Sequence, residues 1–312
     1  MKSEKMQPKA YVEPRRHAFL IDVLLRLIRE KPLGMIGGVI VLIMLVVGIF
    51  AEWLAPYAMN EAHLIDRLSP PSARYILGTD QLGRDILSNL IYGARISMIV
   101  GVCAAAINVV TAALIGCTTG FIGGKLDLLV QRFVDAWMSF PTLLLILTLM
   151  SIVGRGLPQI IAVLGIAGGI RESRLARSVV IRIREETYVE AARVIGCSTS
   201  RVLFRHILPN VMAPLIIIFT LNVGAAILTE STISFLGFGV PPGVPSWGSM
   251  LSLEGRQYME IAPQLALWPG LTLSIAVYSI NMLGDAVRDL LDPRLRGGLG
   301  RYGRVKRERP KQ

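Results

Sequence analysis

The sequence predicts an all-α fold, a polytopic membrane helical bundle with six transmembrane helices. Three observations predict it. Hydrophobic residues make up 53% of the 312-residue chain and charged ones only 18%, against about 25% charged in an ordinary soluble domain. Six long uncharged runs read as spans, at 32–51, 96–124, 136–154, 156–170, 207–229 and 261–284. Five of them reach the length of about 18 residues or more that crosses a hydrocarbon layer. The fourth, 156–170, holds 15 residues, and Arg155 and Arg171 at its ends can snorkel outward to let it span. The third observation is the distribution of basic residues. With both termini on the cytoplasmic side, the inner segments hold 27 of the 33 lysines and arginines, as the positive-inside rule requires. A seventh span would place the nine-charge C-terminal tail outside.

In chain order, residues 1–32 form a basic cytoplasmic tail, too charged and without the cleavage site of a signal peptide, so the first span remains as an anchor. Residues 33–94 supply that span and an extracytoplasmic loop. The loop contains Gly78, Thr79, Asp80, Gly83, Arg84 and Asp85. Two glycines among charges imply a turn pinned by charge-assisted hydrogen bonds, with Asp80 and Asp85 accepting from Arg84 or Arg95. A calcium site or catalytic pair is the lesser alternative, since no third acidic ligand is near. Residues 95–292 form a five-span core. Its first span is rich in small residues, Gly101, Ala104, Ala105, Ala112, Ala113, Gly116 and Gly120, which allow close helix approach. The uncharged stretch 231–253 holds four glycines and three prolines, so it reads as an extracytoplasmic or re-entrant loop rather than a span. Residues 293–312 form a second basic cytoplasmic tail.

The polar link within 171–209 is the most informative segment, with eight arginines between Arg171 and Arg205. Tyr188, Ala191, Ala192 and Ile195 recur at helical spacing and give one narrow apolar face. Gly196 sits where a helix would end in a left-handed cap. Ser198 or Thr199 can N-cap a second helical stretch from Arg201 to Ile207, and Pro209 stands where the next span begins. Two small helices joined by a glycine make a rigid knob suited to docking in a cleft. A generic interfacial loop is the plainer alternative.

Glu190, Ala191, Ala192, Gly196, Leu208 and Pro209 resemble the cytoplasmic "EAA" loop of membrane subunits of binding-protein-dependent ABC importers, with His206 departing from the family pattern. The Gly78 to Asp85 motif, Ser234-Phe235-Leu236-Gly237, Pro245-Ser246-Trp247-Gly248 and the segment from Asn281 to Arg296 resemble the dipeptide, oligopeptide and nickel branch. The first span followed by Ala55-Pro56-Tyr57 resembles its C-type permease. Asn89 stands where relatives often have arginine. The resemblance implies the type I ABC importer transmembrane fold, a homologous second permease, two cytoplasmic ATPase subunits and an extracytoplasmic solute-binding protein. It also implies a bacterial or archaeal inner membrane. On this reading Glu190 contacts a basic residue of the ATPase while Tyr188, Ala191 and Ala192 fill its groove. Asn108, Thr111, Asn222 and Thr229 are candidates for the translocation path, with interhelical hydrogen bonding as the competing role. Glu230 joins them because a carboxylate at membrane depth tends to be functional. Trp247 is a candidate contact for the binding protein, or else an aromatic belt residue.

Other functions fit less well. No phosphate-binding loop is present: Gly124-Lys125 is followed by Leu126, so ATP chemistry belongs to partner subunits and the chain is expected to be non-catalytic. His17, His63 and His206 fall in separate segments without a partnered nucleophile, which argues against an intramembrane enzyme. Cys103 and Cys117, on one helix about 21 Å apart, cannot bridge, and neither a metal nor another cofactor is expected. An ion-coupled secondary transporter predicts ionisable groups at the membrane centre, and the six runs lack them. The net charge of +11 is explained by membrane lipid headgroups, without nucleic acid. Short peptides are the expected solute, with nickel, glutathione or another small solute as alternatives.

Overall fold

Inside hydrocarbon a chain must satisfy its own N–H and C=O groups, so apolar length dictates helix. The computed structural model describes residues 27–28, 30–252, 257–258 and 260–291. The expected tail 293–312 and most of 1–32 lie outside the described residues. In order, the helices are α1 (Pro32–Ile49), α2 (Ala51–Leu54), α3 (Ile86–Ile122), α4 (Gly124–Ser139), α5 (Thr142–Val153), α6 (Leu157–Arg184), α7 (Thr187–Val194), α8 (Thr199–Val202), α9 (Leu208–Phe235), α10 (Trp247–Met250) and α11 (Gln264–Leu291).

The six uncharged runs fall on α1, α3, α5, α6, α9 and α11, but not as six equal spans. Helices α1, α3 and α11, and the continuous helix Thr199–Phe235, are each long and apolar enough to cross a membrane. The third run is divided instead. Helices α4 and α5 reach spanning length only together, and they bend by 95° where they meet. Pro141 causes the break, because the residue before a proline is pushed out of helical geometry; Phe140 is extended, at φ −82° and ψ 139°. Helix α6 has 28 residues, about 42 Å, yet only its first half is apolar. Its second half carries Arg171, Arg174, Arg177, Arg182 and Arg184 and projects beyond the apolar length.

Close approach holds the bundle together, as lipid offers no hydrophobic drive between helices. Gly101, Ala104, Ala105, Ala112, Gly116 and Gly120 of α3 are all buried. At Gly116 the backbone of α6 comes so near that an added Cβ would lie 2.6 Å from both the Ala176 Cβ and the Ser173 carbonyl. Gly101 is equally crowded by Ile227 of α9, at 2.6 Å. Thus α3 is the central post against which α6 and α9 close. Helix α1 lies against α11, where Gly34 meets Ala286 and Lys31 pairs with Asp289.

Candidate functional site

The knob is built by local sequence. Helix α7 ends at Gly196, whose φ of +85° is the left-handed value that only glycine adopts freely. Nothing lies within 4 Å of a Cβ placed there, so conformation rather than space selects glycine. The Cys197 N–H donates to the Ala192 carbonyl and the Gly196 N–H to that of Arg193, each at 3.0 Å, the paired bonds of a Schellman closure. Ser198 occupies the position before α8, but its hydroxyl caps no backbone N–H. The second stretch also does not stop at Ile207. It runs through a π-helical turn, Leu203–Ile207, directly into α9. Pro209 accounts for the turn, because its missing N–H interrupts the regular ladder.

The knob has two apolar faces. Val189 and Ala192 are buried against Val202, Ile207 and Val211, and against Phe121, Ala176 and Val180 of α3 and α6. Tyr188, Ala191, Val194 and Ile195 face outward, with Val194 and Ile195 about 80% exposed. Ala192, expected on the partner-facing side, is therefore an anchor: α7 must grip the bundle, and its small inward residues do so. Glu190 is exposed and forms no ion pair with another described residue. Leu208 is half-buried and Pro209 exposed. A contact missed from sequence joins α7 to α3, where the Arg193 guanidinium lies over the Phe121 ring at 5.7 Å.

A cavity of about 340 Å³ opens where α3, α6 and α9 face the α4–α5 bend. Asn108, Asn222 and Thr229 line it together, beside Trp137, Arg171 and Glu172. Asn108 donates to the Asn222 side-chain carbonyl at 3.4 Å, and its own Oδ1 has no partner among the described residues. Thr111 is absent from the lining; it packs on Gly169 at the α3–α6 contact. Glu230 is absent too. Its carboxyl is fully buried and accepts from Ser234 at 2.6 Å, Ser246 at 2.8 Å and Ser231 at 3.4 Å. That grip fastens the segment after α9 to α9 itself, which is a structural task. Arg171 and Glu172 were legible only as the charges that end an uncharged run.

The other end of the bundle carries the loop motif. Gly78 and Gly83 both take positive φ, +85° and +74°, in a turn closed by Asp80. Asp80 Oδ1 accepts from the Leu82 and Arg84 N–H groups at 2.8 and 2.9 Å, and Oδ2 from Arg84 Nε at 2.6 Å. Thr79 is fully buried, and its hydroxyl accepts from the Ser69 N–H at 2.9 Å. Asp85 departs from expectation: it pairs with no arginine but caps α3, accepting from the Ser88 N–H at 2.8 Å and hydroxyl at 2.7 Å. A helix start exposes unpaired N–H groups, and a carboxylate satisfies them. Arg95 reaches Glu52 at 2.8 Å and the carbonyls of Gly48 and Ile49 instead. The described residues contain no group of acidic, histidine or cysteine side chains able to hold a metal.

Trp247 contradicts its expected role as a contact for a partner. It is fully buried, seated on Gly93, with its indole N–H donating to the Leu90 carbonyl at 3.2 Å. An indole hidden in the core can touch neither a partner nor the lipid surface. The proline-rich segment around it is folded inward at α10, where Trp247 and Gly248 are buried.

Comparison with known proteins agrees with this architecture. Residues 112–297 match the family "Binding-protein-dependent transport system inner membrane component", and residues 19–71 match the N-terminal TM domain of oligopeptide transport permease C. The chain is 39% identical to the Di/tripeptide transport system permease protein DppC of Pseudomonas aeruginosa over 84% of this chain and 89% of that one. It is 37% identical to the Oligopeptide transport system permease protein OppC of Bacillus subtilis, covering 88% and 90%. It is also 37% identical to the Glutathione transport system permease protein GsiD of Escherichia coli, covering 87% and 90%. Among solved structures, the inward-facing MetNI methionine ABC transporter superposes with a TM-score of 0.53 at 19% identity, covering 65% of this chain and 96% of that one, which places the fold among type I importer bundles. The chain belongs to the family of inner-membrane permease components of binding-protein-dependent transport systems.

Proposed function

We propose that this permease subunit imports dipeptides or oligopeptides, and that α7 is its coupling element to a cytoplasmic ATPase. The observation that carries the coupling is the divided knob: one face locked to α3 and α6, the other offering Tyr188, Ala191, Val194 and Ile195 beside an unpaired Glu190 carboxylate. A groove on a partner with a basic rim complements that surface. The peptide reading is supported by the relatives named for dipeptides, tripeptides, oligopeptides and glutathione.

In the full assembly the chain pairs with a homologous permease, two ATPase subunits and an extracytoplasmic binding protein, with both of its termini in the cytoplasm of a bacterial or archaeal cell. Closure of the ATPase pair on ATP favours the outward-facing arrangement, and hydrolysis releases it. Because the Schellman closure and the buried Val189 and Ala192 make the knob rigid, its displacement moves α6 and α9 as bodies. Asn108, Asn222 and Thr229 line this subunit's side of the translocation path.

The test is a reconstituted complex in liposomes, scored for peptide-stimulated ATP hydrolysis and uptake. Glu190→Arg should leave the ATPases bound while uptake per ATP falls at least severalfold. Normal uptake by that variant, with the ATPases assembled, would refute the coupling role.

A further inference from the structure

A second cavity, about 580 Å³, lies at the opposite end of α6 and α9 from α7. Its size is that of a small-molecule site, and its walls combine an apolar part, with Phe235, Leu265 and the proline-rich turn through Pro241 and Pro242, and a polar part that includes Asp80, Arg84 and Ser249. Arg155 and Asn89 on the lining have side chains without partners among the described residues. Arg155, just before α6, is exposed and makes no hydrogen bond or ion pair with any described residue. The neighbouring Arg84 differs, being neutralised by Asp80 at 2.6 Å. Asn89, in the first turns of α3, is 5% exposed; its backbone N–H is bonded to Asp85, while its side-chain amide has no partner among the described residues. An amide that opens on a cavity without a protein partner is available to bond a ligand, and a free guanidinium presents the forked donors that fit a carboxylate.

A ligand that satisfies both groups carries a carboxylate, an amide and an apolar side chain. We propose that this cavity is an entry site for the transported peptide, with Arg155 binding its C-terminal carboxylate and Asn89 hydrogen-bonding its adjacent amide. The proposal rests on the peptide reading of function and assigns that reading a recognition site in the permease itself. The apolar part of the wall accepts varied side chains, while Arg155 and Asn89 read the part common to every peptide.

The experiment compares dialanine with its C-terminal amide as substrates of the complete reconstituted complex with its binding protein. The same binding protein feeds both, so a change in the acid-to-amide ratio between permease variants belongs to this chain. Arg155 is exposed and makes no hydrogen bond or ion pair with any described residue, so Arg155→Gln should fold normally. That variant is expected to lose about tenfold in preference for the acid, the loss of one charge-assisted contact, and Arg155→Lys to regain part of it. An unchanged ratio overturns the site. Equal losses for acid and amide, together with weaker docking of the binding protein, overturn it as well and transfer the carboxylate to that protein. Transport of neither peptide by the unmodified complex removes the peptide reading, and this site with it.

Discussion

Arg193 of the knob stacks its guanidinium on the ring of Phe121, the penultimate residue of the central helix α3, at 5.7 Å. The same corner receives Arg184 of α6, which donates to the Phe121 carbonyl at 3.3 Å. One residue thus gathers α3, α6 and α7. Phe121→Leu should preserve burial but remove the ring face, and Arg193→Gln should remove the cation. A cation–π contact contributes about 0.5–1 kcal/mol at a partly exposed site, so each variant should lower uptake per ATP modestly. The double variant should be no worse than the more affected single one. Fully additive losses would show that the stack carries no coupling.

Trp247→Ala should be severe. Removing a buried indole costs about 3–5 kcal/mol, and the expected result is a large fall in the melting temperature of the detergent-solubilised complex. Trp247→Phe keeps the ring on Gly93 and loses the bond to the Leu90 carbonyl, about 1 kcal/mol. Affinity for the binding protein should then be unchanged. Weakened docking at unaltered melting temperature would show that the indole reaches the surface.

Sequence made the helical skeleton and the knob legible because both follow from local rules. Uncharged length sets the helices, and Gly196 with Pro209 sets the cap and the restart. The Asp80 turn was legible for the same reason, its partners being four residues apart or fewer. Contacts distant along the chain were not. Trp247 and Gly93 are separated by more than 150 residues, and nothing in either neighbourhood says that one covers the other. Asp85 and Arg95 invited an ion pair by charge alone, whereas the start of α3 claims the carboxylate first. Thr111 and Asn108 lie three residues apart on α3 and each meets a glycine of α6, Gly169 and Gly168, yet only Asn108 lines the cavity. Only the rotation of α3 relative to its neighbours decides between them.

Glu230 fastens the proline-rich segment after α9, and its replacement separates anchoring from transport. Glu230→Ala leaves the Ser234 and Ser246 hydroxyls without their acceptor, at a cost of about 1–3 kcal/mol. Glu230→Gln keeps a carbonyl oxygen for them and should cost less. The readout is protease or thiol-reagent access to a cysteine placed at Val240, which is 7% exposed. Access should rise strongly in the alanine variant and little in the glutamine variant. Equal protection in both would mean that α10 holds the segment without the carboxyl.

The arginine-rich end of α6 is tied to α4 by Asp127 and Arg177, with Nε donating to Oδ1 at 2.6 Å and Nη2 to Oδ2 in a bidentate pair. Asp127 lies in the first turn of α4, at the charged face of the bundle, and Arg177 holds its carboxyl below the usual carboxylate range, chiefly through the hydrogen bond. A depressed carboxyl pKa stabilises the fold fully above the ordinary value of about 4. That contribution fades as pH falls through the lower, folded value. The pair is partly exposed, with side-chain accessibilities of 29% for Arg177 and 16% for Asp127, so a coupling of about 1 kcal/mol is expected from a double-mutant cycle of Asp127→Asn and Arg177→Gln at neutral pH. Thermal stability of the solubilised complex, followed toward acid, should show that coupling shrinking only below pH of about 4. A coupling lost already between pH 7 and 5 would place the titrating group elsewhere. Because α4 carries Trp137 and leads through the Phe140-Pro141 bend to the cavity residues Thr142, Leu145 and Ile146 of α5, Asp127→Asn should also loosen the α4–α5 corner and raise peptide-independent ATP hydrolysis, an effect that Arg177→Gln should reproduce.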